Sequence, residues 1–243
     1  MRAILTPGGI LAALVVGIAT LLGGGWPAAL VLFAFFVPSV ALSRLGRARK
    51  RGLVDVGKHG ARDAWQVLAN GGVAAICAIL AWRLGGAWLA AFAGAFAAAS
   101  ADTWGTEIGT LARQAPRSIL TFKPLATGLS GGVTIAGTLA EIAGAAIVAL
   151  VAALLGIAAF VPVAIGGVAG ALVDSIFGAS LQSLRRCPAC ARDCETDPHA
   201  CGTPTVARRG LAWFGNDTVN LAATLTGALV AGLLASYVPT LRP

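Results

Sequence analysis

Seven blocks of apolar residues divide the chain, each close to the roughly 20 residues a helix needs to cross a hydrocarbon core. They run from Ile4 to Leu22, Pro27 to Ser43, Ala64 to Leu84, Trp88 to Leu111, Gly131 to Leu155, Ala158 to Gln182 and Trp213 to Tyr237. At 100° per residue, Ser100, Asp102, Thr103, Thr106, Glu107 and Thr110 of the fourth block fall within about 160° of the helix circumference. Asp63, Gln66 and Asn70 share a stripe in the third block, and Ser130, Thr134, Thr138 and Glu141 in the fifth. Asp174, Gly178 and Gln182 do so in the sixth, and Asn216, Asp217, Asn220 and Thr224 in the seventh.

With 57% hydrophobic and 12% charged residues, and a mean hydropathy of +0.82, the chain lies outside the soluble globular range. Little remains for a soluble domain. The first block follows Arg2 but is long for a signal core and has no convincing cleavage site, so it reads as a span. Of the 18 Lys and Arg residues, seven lie between blocks two and three (Arg44, Arg47, Arg49, Lys50, Arg51, Lys58, Arg62), three between four and five, and five between six and seven. By the positive-inside rule these three loops are cytoplasmic, which puts the N-terminus inside a plasma or inner membrane and the C-terminus outside. The net charge of +8 is then mainly a topology signal, and no aromatic-interleaved basic module points to nucleic acid. The expected fold is an all-α polytopic membrane protein of about seven transmembrane helices, one domain over residues 1–243, with a cytoplasmic zinc-knuckle loop at 184–211.

In this topology every polar stripe lies at the cytoplasmic end of its span. Ionisable groups inside a membrane are costly unless they face a bundle interior or watered cavity, and they mark functional sites. Carboxylates with hydroxyl and amide oxygens and almost no histidine form a hard donor set suited to Mg²⁺. Asp102 and Asp217 are the expected magnesium ligands and, with Glu107 and Asp174, the expected catalytic set. Arg117 and Lys123 could neutralise phosphate oxygens. The glycine turn TGLSGGVT, with Ser130, Gly131, Gly132 and Thr134, could aim N–H groups at an anion, although such a turn is a weak signal alone. Divalent metal, basic clamp and carboxylates together fit phosphoryl transfer. GGVAG at 166–170 reads as close helix packing.

The loop CPACARDCETDPHACG carries Cys187, Cys190, Cys194, His199 and Cys201 within fifteen residues. In a reducing cytoplasm the CxxC and HxC spacing reads as a structural zinc site held by Cys187, Cys190, His199 and Cys201, with Cys194 spare or replacing His199. Redox-active thiols and an unligated loop are the alternatives. Cys77, alone in the third block, reads as a small apolar side chain.

RDAWQVLANGG (Arg62 to Gly72), SADTWGTEIGTL (Ser100 to Leu111), GLSGGVTIAGTLA (Gly128 to Ala140), DSIFGASLQ (Asp174 to Gln182), the Cys/His loop and NDTVNLAATLTG (Asn216 to Gly227) together resemble the phytyl-phosphate kinase family, which also includes transmembrane protein 19-like proteins. The likeness runs in order from about Lys50 to Gly227. It implies an integral membrane kinase that converts an isoprenyl monophosphate to the diphosphate, with CTP as donor. Asp102, Thr103 and Glu107 match a DTxxSE-type signature in which Thr106 replaces serine. Asn216, Asp217 and Asn220 match an NDxVN-type signature, and Gln66 and Asn70 a QVxAN element. Ser130 departs from the family's asparagine, and Cys194 is extra. With Arg62 and Gln182 these residues form the expected substrate and nucleotide contacts, the partners being a membrane lipid and a nucleoside triphosphate; homo-oligomerisation is left open. A transporter or channel is the alternative, and a structural scaffold a weaker third. The apolar outer halves of the spans suit a one-sided site better than a through path.

Overall fold

A computed structural model describes residues 4–46 and 61–237. The basic segment containing Arg47, Arg49, Lys50, Arg51 and Lys58 lies outside the described residues, as does Arg242. In chain order the described helices are α1 (Pro7–Arg44), α2 (Ala64–Leu84), α3 (Trp88–Gly109), α4 (Ile135–Leu154), α5 (Phe160–Ser180) and α6 (Asn216–Tyr237).

α1 is not one straight rod. Gly25 takes φ 64° and ψ −156°, a conformation open essentially only to glycine, and Pro27 follows. Before it, Gly9 lies against Arg62, Val16 against Gly71 and Gly23 against Ala78, so this half runs alongside α2. After it, Phe35 stacks on Phe96 at 5.4 Å and Gly46 lies against Leu111, so this half runs alongside α3. α2 and α3 form a tight hairpin through Gly85 and Gly86, and the two halves of α1 are therefore antiparallel. The break falls between the first two apolar blocks.

Among the described residues five helices (α1, α2, α4, α5 and α6) are long and apolar enough to cross a membrane. By hydropathy alone Trp88 to Leu111 is one more span of the same kind. α3 instead touches every other helix and is buried without interruption from Ala90 to Ala101. A helix screened from lipid by its neighbours can be assembled from small residues that let backbones approach closely. Gly167 fits against Ala97 and Ala145, and Gly170 against Ala98 and the Ala223 carbonyl, which is the packing expected of the GGVAG segment. Outside this core, Leu11, Leu14, Leu154, Leu229 and Leu233 are more than half exposed, as a lipid-facing surface requires. Trp65 and Trp213 are exposed near one end of the bundle and Trp26, Trp82 and Tyr237 near the other, matching two interfacial belts.

The fold is mostly helical rather than all-α. A short hairpin pairs β1 (Arg117–Ser118) with β2 (Gly132–Val133), and a three-stranded antiparallel ribbon of order β4-β3-β5 is built from β3 (Leu184–Cys187), β4 (Arg192–Cys194) and β5 (Val206–Arg209). Hydropathy does not signal such short strands, because their pairing is set by loop geometry. The ribbon is tied to the bundle by Ser183 N–H to Phe214 O (3.0 Å), Leu211 N–H to Leu181 O (2.9 Å) and Arg209 Nη2 to Gly178 O (2.9 Å).

Candidate functional site

A cavity of about 450 Å³ opens at the end of the bundle where α3 and α5 finish and α2, α4 and α6 begin. The opposite half is closed by apolar packing, with Phe92, Phe96, Val148 and Val163 fully buried. Local helix chemistry fixes much of the polar wall. Asp63 and Gln66 form a reciprocal capping box at the start of α2, Asp63 N–H to Gln66 Oε1 at 3.1 Å and Gln66 N–H to Asp63 Oδ1 at 3.0 Å. Asn70 Nδ2 donates to Gln66 O (2.9 Å), and Thr134 caps α4 by accepting from Gly137 N–H (3.0 Å). Part of the polar stripe in these helices therefore serves their own ends.

From α3, Asp102, Thr103, Thr106 and Glu107 line the cavity; α5 contributes Asp174, α6 contributes Asn216 and Asn220, and Arg62, Gln66 and Asn70 enter from α2 and its approach. Asp102 and Asp174 face each other in the cavity, with Thr106 one helical turn on from Asp102. Asp174 Oδ1 is buried without a protein hydrogen-bond partner. Burial lowers the basicity of the Arg62 guanidinium, an effect opposed by the charge of Glu107.

The turn holding Ser130, Gly131 and Gly132 also lines the cavity. It does not present Ser130 N–H to solvent, because that group donates to Glu195 Oε1 at 2.7 Å. The anion at this turn is one of the protein's own carboxylates. Gly131, at φ 77°, sits against the backbone of Ala179, leaving no room for a Cβ.

Four expected residues lie outside the lining. Arg117 is exposed and donates to Phe122 O at 2.9 Å, Lys123 is exposed, and Gln182 is buried behind the wall, donating to Glu195 Oε2 at 3.1 Å. Asp217 sits in the first turn of α6, where a carboxylate complements the helix dipole, one residue off the face carrying Asn216 and Asn220.

Two acidic residues join the site that the sequence did not rank. Glu141 lies over Gly105, where a Cβ would come within 2.5 Å of its Cγ and 2.7 Å of Oε1. Its place on the stripe of the fifth block was the available signal. Glu195 comes from the ribbon, where no period exists to predict its direction. Burial raises its pKa, while hydrogen bonds from Ser130 and the charge of Arg209 act against that rise. Among the described residues the lining thus holds five carboxylates (Asp102, Glu107, Glu141, Asp174, Glu195) and one guanidinium, Arg62.

The ribbon gathers Cys187, Cys190, His199 and Cys201 with their ligand atoms all within 4.8 Å of one another. Sγ of Cys187 and Cys201 are 3.6 Å apart, and His199 Nδ1 is 3.0 Å from Cys201 Sγ and 3.7 Å from Cys190 Sγ. Tetrahedral ligands at zinc bond lengths subtend edges of about 3.5–3.8 Å. This cluster could bind a metal ion, and its donors are compatible with zinc. Cys194 lies outside it, buried, with its thiol 3.8 Å from Thr196 O. Hydrogen bonds with Thr203 and His199 bring the Cys201 thiol down to about 5, whereas contact with Cys201 pushes Cys190 up to about 11.

Residues 1–228 match the family model described as integral membrane protein DUF92. The chain is 30% identical over 241 residues to Protein PGR of Arabidopsis thaliana, covering 86% of this chain and 81% of that protein. It is 31% identical over 229 residues to an uncharacterized membrane protein of Methanocaldococcus jannaschii, covering 93% and 84%. Protein VTE6, chloroplastic, of Arabidopsis thaliana is 26% identical over 245 residues, covering 96% of this chain and 66% of that protein. No solved structure gives a significant match. These matches agree with the resemblance carried by the polar motifs, and the chain belongs to the DUF92 family of integral membrane proteins.

Proposed function

We propose that this protein is an integral membrane kinase that transfers the terminal phosphoryl group of a nucleoside triphosphate, CTP by the family resemblance, to an isoprenyl monophosphate of phytyl type. The observation that carries the reading is the charge of the cavity lining, five carboxylates and one guanidinium among the described residues, at the polar end of an otherwise apolar bundle. So many like charges call for cations. The donors are carboxylate, hydroxyl and amide oxygens, and Asp174 Oδ1 is an orphaned acceptor, so the set fits magnesium.

Asp102 and Asp174 would hold the metal, with Glu107 and Glu141 at its flanks; Asp217 lies outside the lining, one residue on from Asn216. Magnesium held there would supply charge neutralisation for the phosphoryl group in transfer. Arg62 pairs with phosphate oxygens, while Asn216 and Asn220 orient the donor. An oxygen of the acceptor phosphate attacks the γ-phosphorus, the bond to the bridging β–γ oxygen breaks, and the nucleoside diphosphate leaves. A phosphate monoester is largely dianionic at neutral pH, its second pKa being about 6. The attacking oxygen therefore needs no base, and the carboxylates act by placing metal and phosphate. The prenyl chain remains among the apolar helices.

In this reading the chain crosses seven times, the halves of α1 counting separately, with the cavity and the zinc-loaded ribbon on the cytoplasmic side. The closed apolar half favours this one-ended site over a solute path. Protein purified in detergent and incubated with radiolabelled CTP or ATP, Mg²⁺ and a panel of prenyl monophosphates is expected to give prenyl diphosphate. Folded, metal-loaded protein that labels none of the panel from either donor would exclude the reading.

A further inference from the structure

The metal ribbon reaches into the cavity through one side chain. Glu195 directly follows β4, which pairs with β3 in the register Arg185 to Cys194, and β3 ends on Cys187 of the Cys/His cluster. Its two carboxylate oxygens are divided between separate parts of the protein. Oε1 accepts from Ser130 N–H in the glycine turn at 2.7 Å, and Oε2 accepts from Gln182 Nε2, buried just past the end of α5, at 3.1 Å. Behind it, Arg209 of β5 fastens the ribbon to Gly178 O. That turn forms part of the cavity wall, and Gly131 already rests on Ala179 with no slack.

We propose that Glu195 is a positioning residue that sets the Ser130–Gly132 turn in the cavity wall, and that metal in the Cys/His cluster controls the turn through it. The physical reason is the brevity of the path. A small ribbon of three short strands owes its order to the ion that joins its ends, and Glu195 is fixed only while β4 stays paired to β3. Without the ion, β4 loosens, the carboxylate leaves Ser130 N–H, and the turn loses the bond that ties it to the ribbon. A carboxylate spanning two donors is well suited to this task, since it transmits both position and charge over one side-chain length. The effect on turnover rests on the kinase reading above, but the effect on the turn does not.

The test is hydrogen exchange of the peptide covering residues 128–133, on the full chain in nanodiscs, with zinc content measured in parallel. Zinc-loaded wild type, zinc-stripped wild type, Glu195→Ala and Glu195→Gln are compared. Stripping zinc and Glu195→Ala should each speed exchange at Ser130 by about tenfold, the protection that one hydrogen bond provides. Peptides of α3 and α4 should stay unchanged and Glu195→Ala should keep its zinc. Glu195→Gln retains an amide oxygen for Ser130 N–H and should stay within about threefold of wild type. A turn that exchanges equally with and without zinc, or a Glu195→Gln protein as fast as Glu195→Ala, overturns the proposal. Should Glu195→Ala fail to fold, the zinc-stripped and Glu195→Gln comparisons decide it. Because exchange is read without turnover, loss of the kinase reading leaves this result standing, and the reverse also holds.

Discussion

Asp102→Asn separates a metal-holding role from a structural one because the two roles give effects of opposite sign. The amide is isosteric, so the packing of α3 should survive. In the metal-free protein Asp102 faces Asp174 and lies in the field of Glu141 and Glu107. Two unit charges 4 Å apart at an effective dielectric of 20 interact by about 4 kcal/mol. Proton uptake and solvent relieve most of that, which leaves a gain in metal-free stability on the order of 1 kcal/mol on replacing one carboxylate. With metal and phosphates bound, the same change removes a ligand, and loss of such a contact typically lowers rate by about 10²–10³-fold, or about 3–4 kcal/mol. The assay is paired: thermal unfolding with and without Mg²⁺, and initial rates of prenyl diphosphate formation across a Mg²⁺ titration. Asp102→Asn should melt at or above wild type in chelator, gain less from Mg²⁺, and turn over at least about 10²-fold more slowly. A folded Asp102→Asn, Asp174→Asn double variant with near-wild-type turnover would refute the argument.

The Cys/His cluster should bind about one zinc per chain by metal analysis, lost in Cys187→Ser, Cys190→Ser and kept in Cys194→Ser, since Cys194 lies outside the ligand group. Gly105→Ala should displace Glu141, whose Cγ would stand 2.5 Å from the new Cβ, and lower both turnover and melting temperature, costing about 1–3 kcal/mol. Arg62→Ala should raise the KM for the phosphate donor by about tenfold or more, whereas Arg117→Ala and Lys123→Ala, outside the lining, should change it less than about twofold. A reporter near Lys58 should be reachable from the cytoplasmic side and one beyond Arg242 from the opposite side only; reporters on one side would overturn the seven crossings.

How much of this was legible in the sequence follows from which interactions are periodic. Apolar block length and helical phase are local properties, so the helices, the break near Gly25 and the polar stripes carrying Asp102, Thr106, Glu107, Asp174, Asn216 and Asn220 could be read directly, as could the Cys187, Cys190, His199 and Cys201 spacing. Phase alone does not tell a residue that caps its own helix, as Asp63 and Thr134 do, from one that faces a cavity; Asp217 lies outside the lining although the adjacent Asn216 is in it. Only the tertiary structure decided that α3 is the inner helix, since burial depends on its neighbours and not on its own hydropathy. It alone placed Glu141 over Gly105, turned Arg117 and Lys123 away, and brought Glu195 from a distant loop to the N–H of Ser130. Such contacts join residues with no shared period, and their geometry exists only once the helices have packed and the ribbon has folded against them.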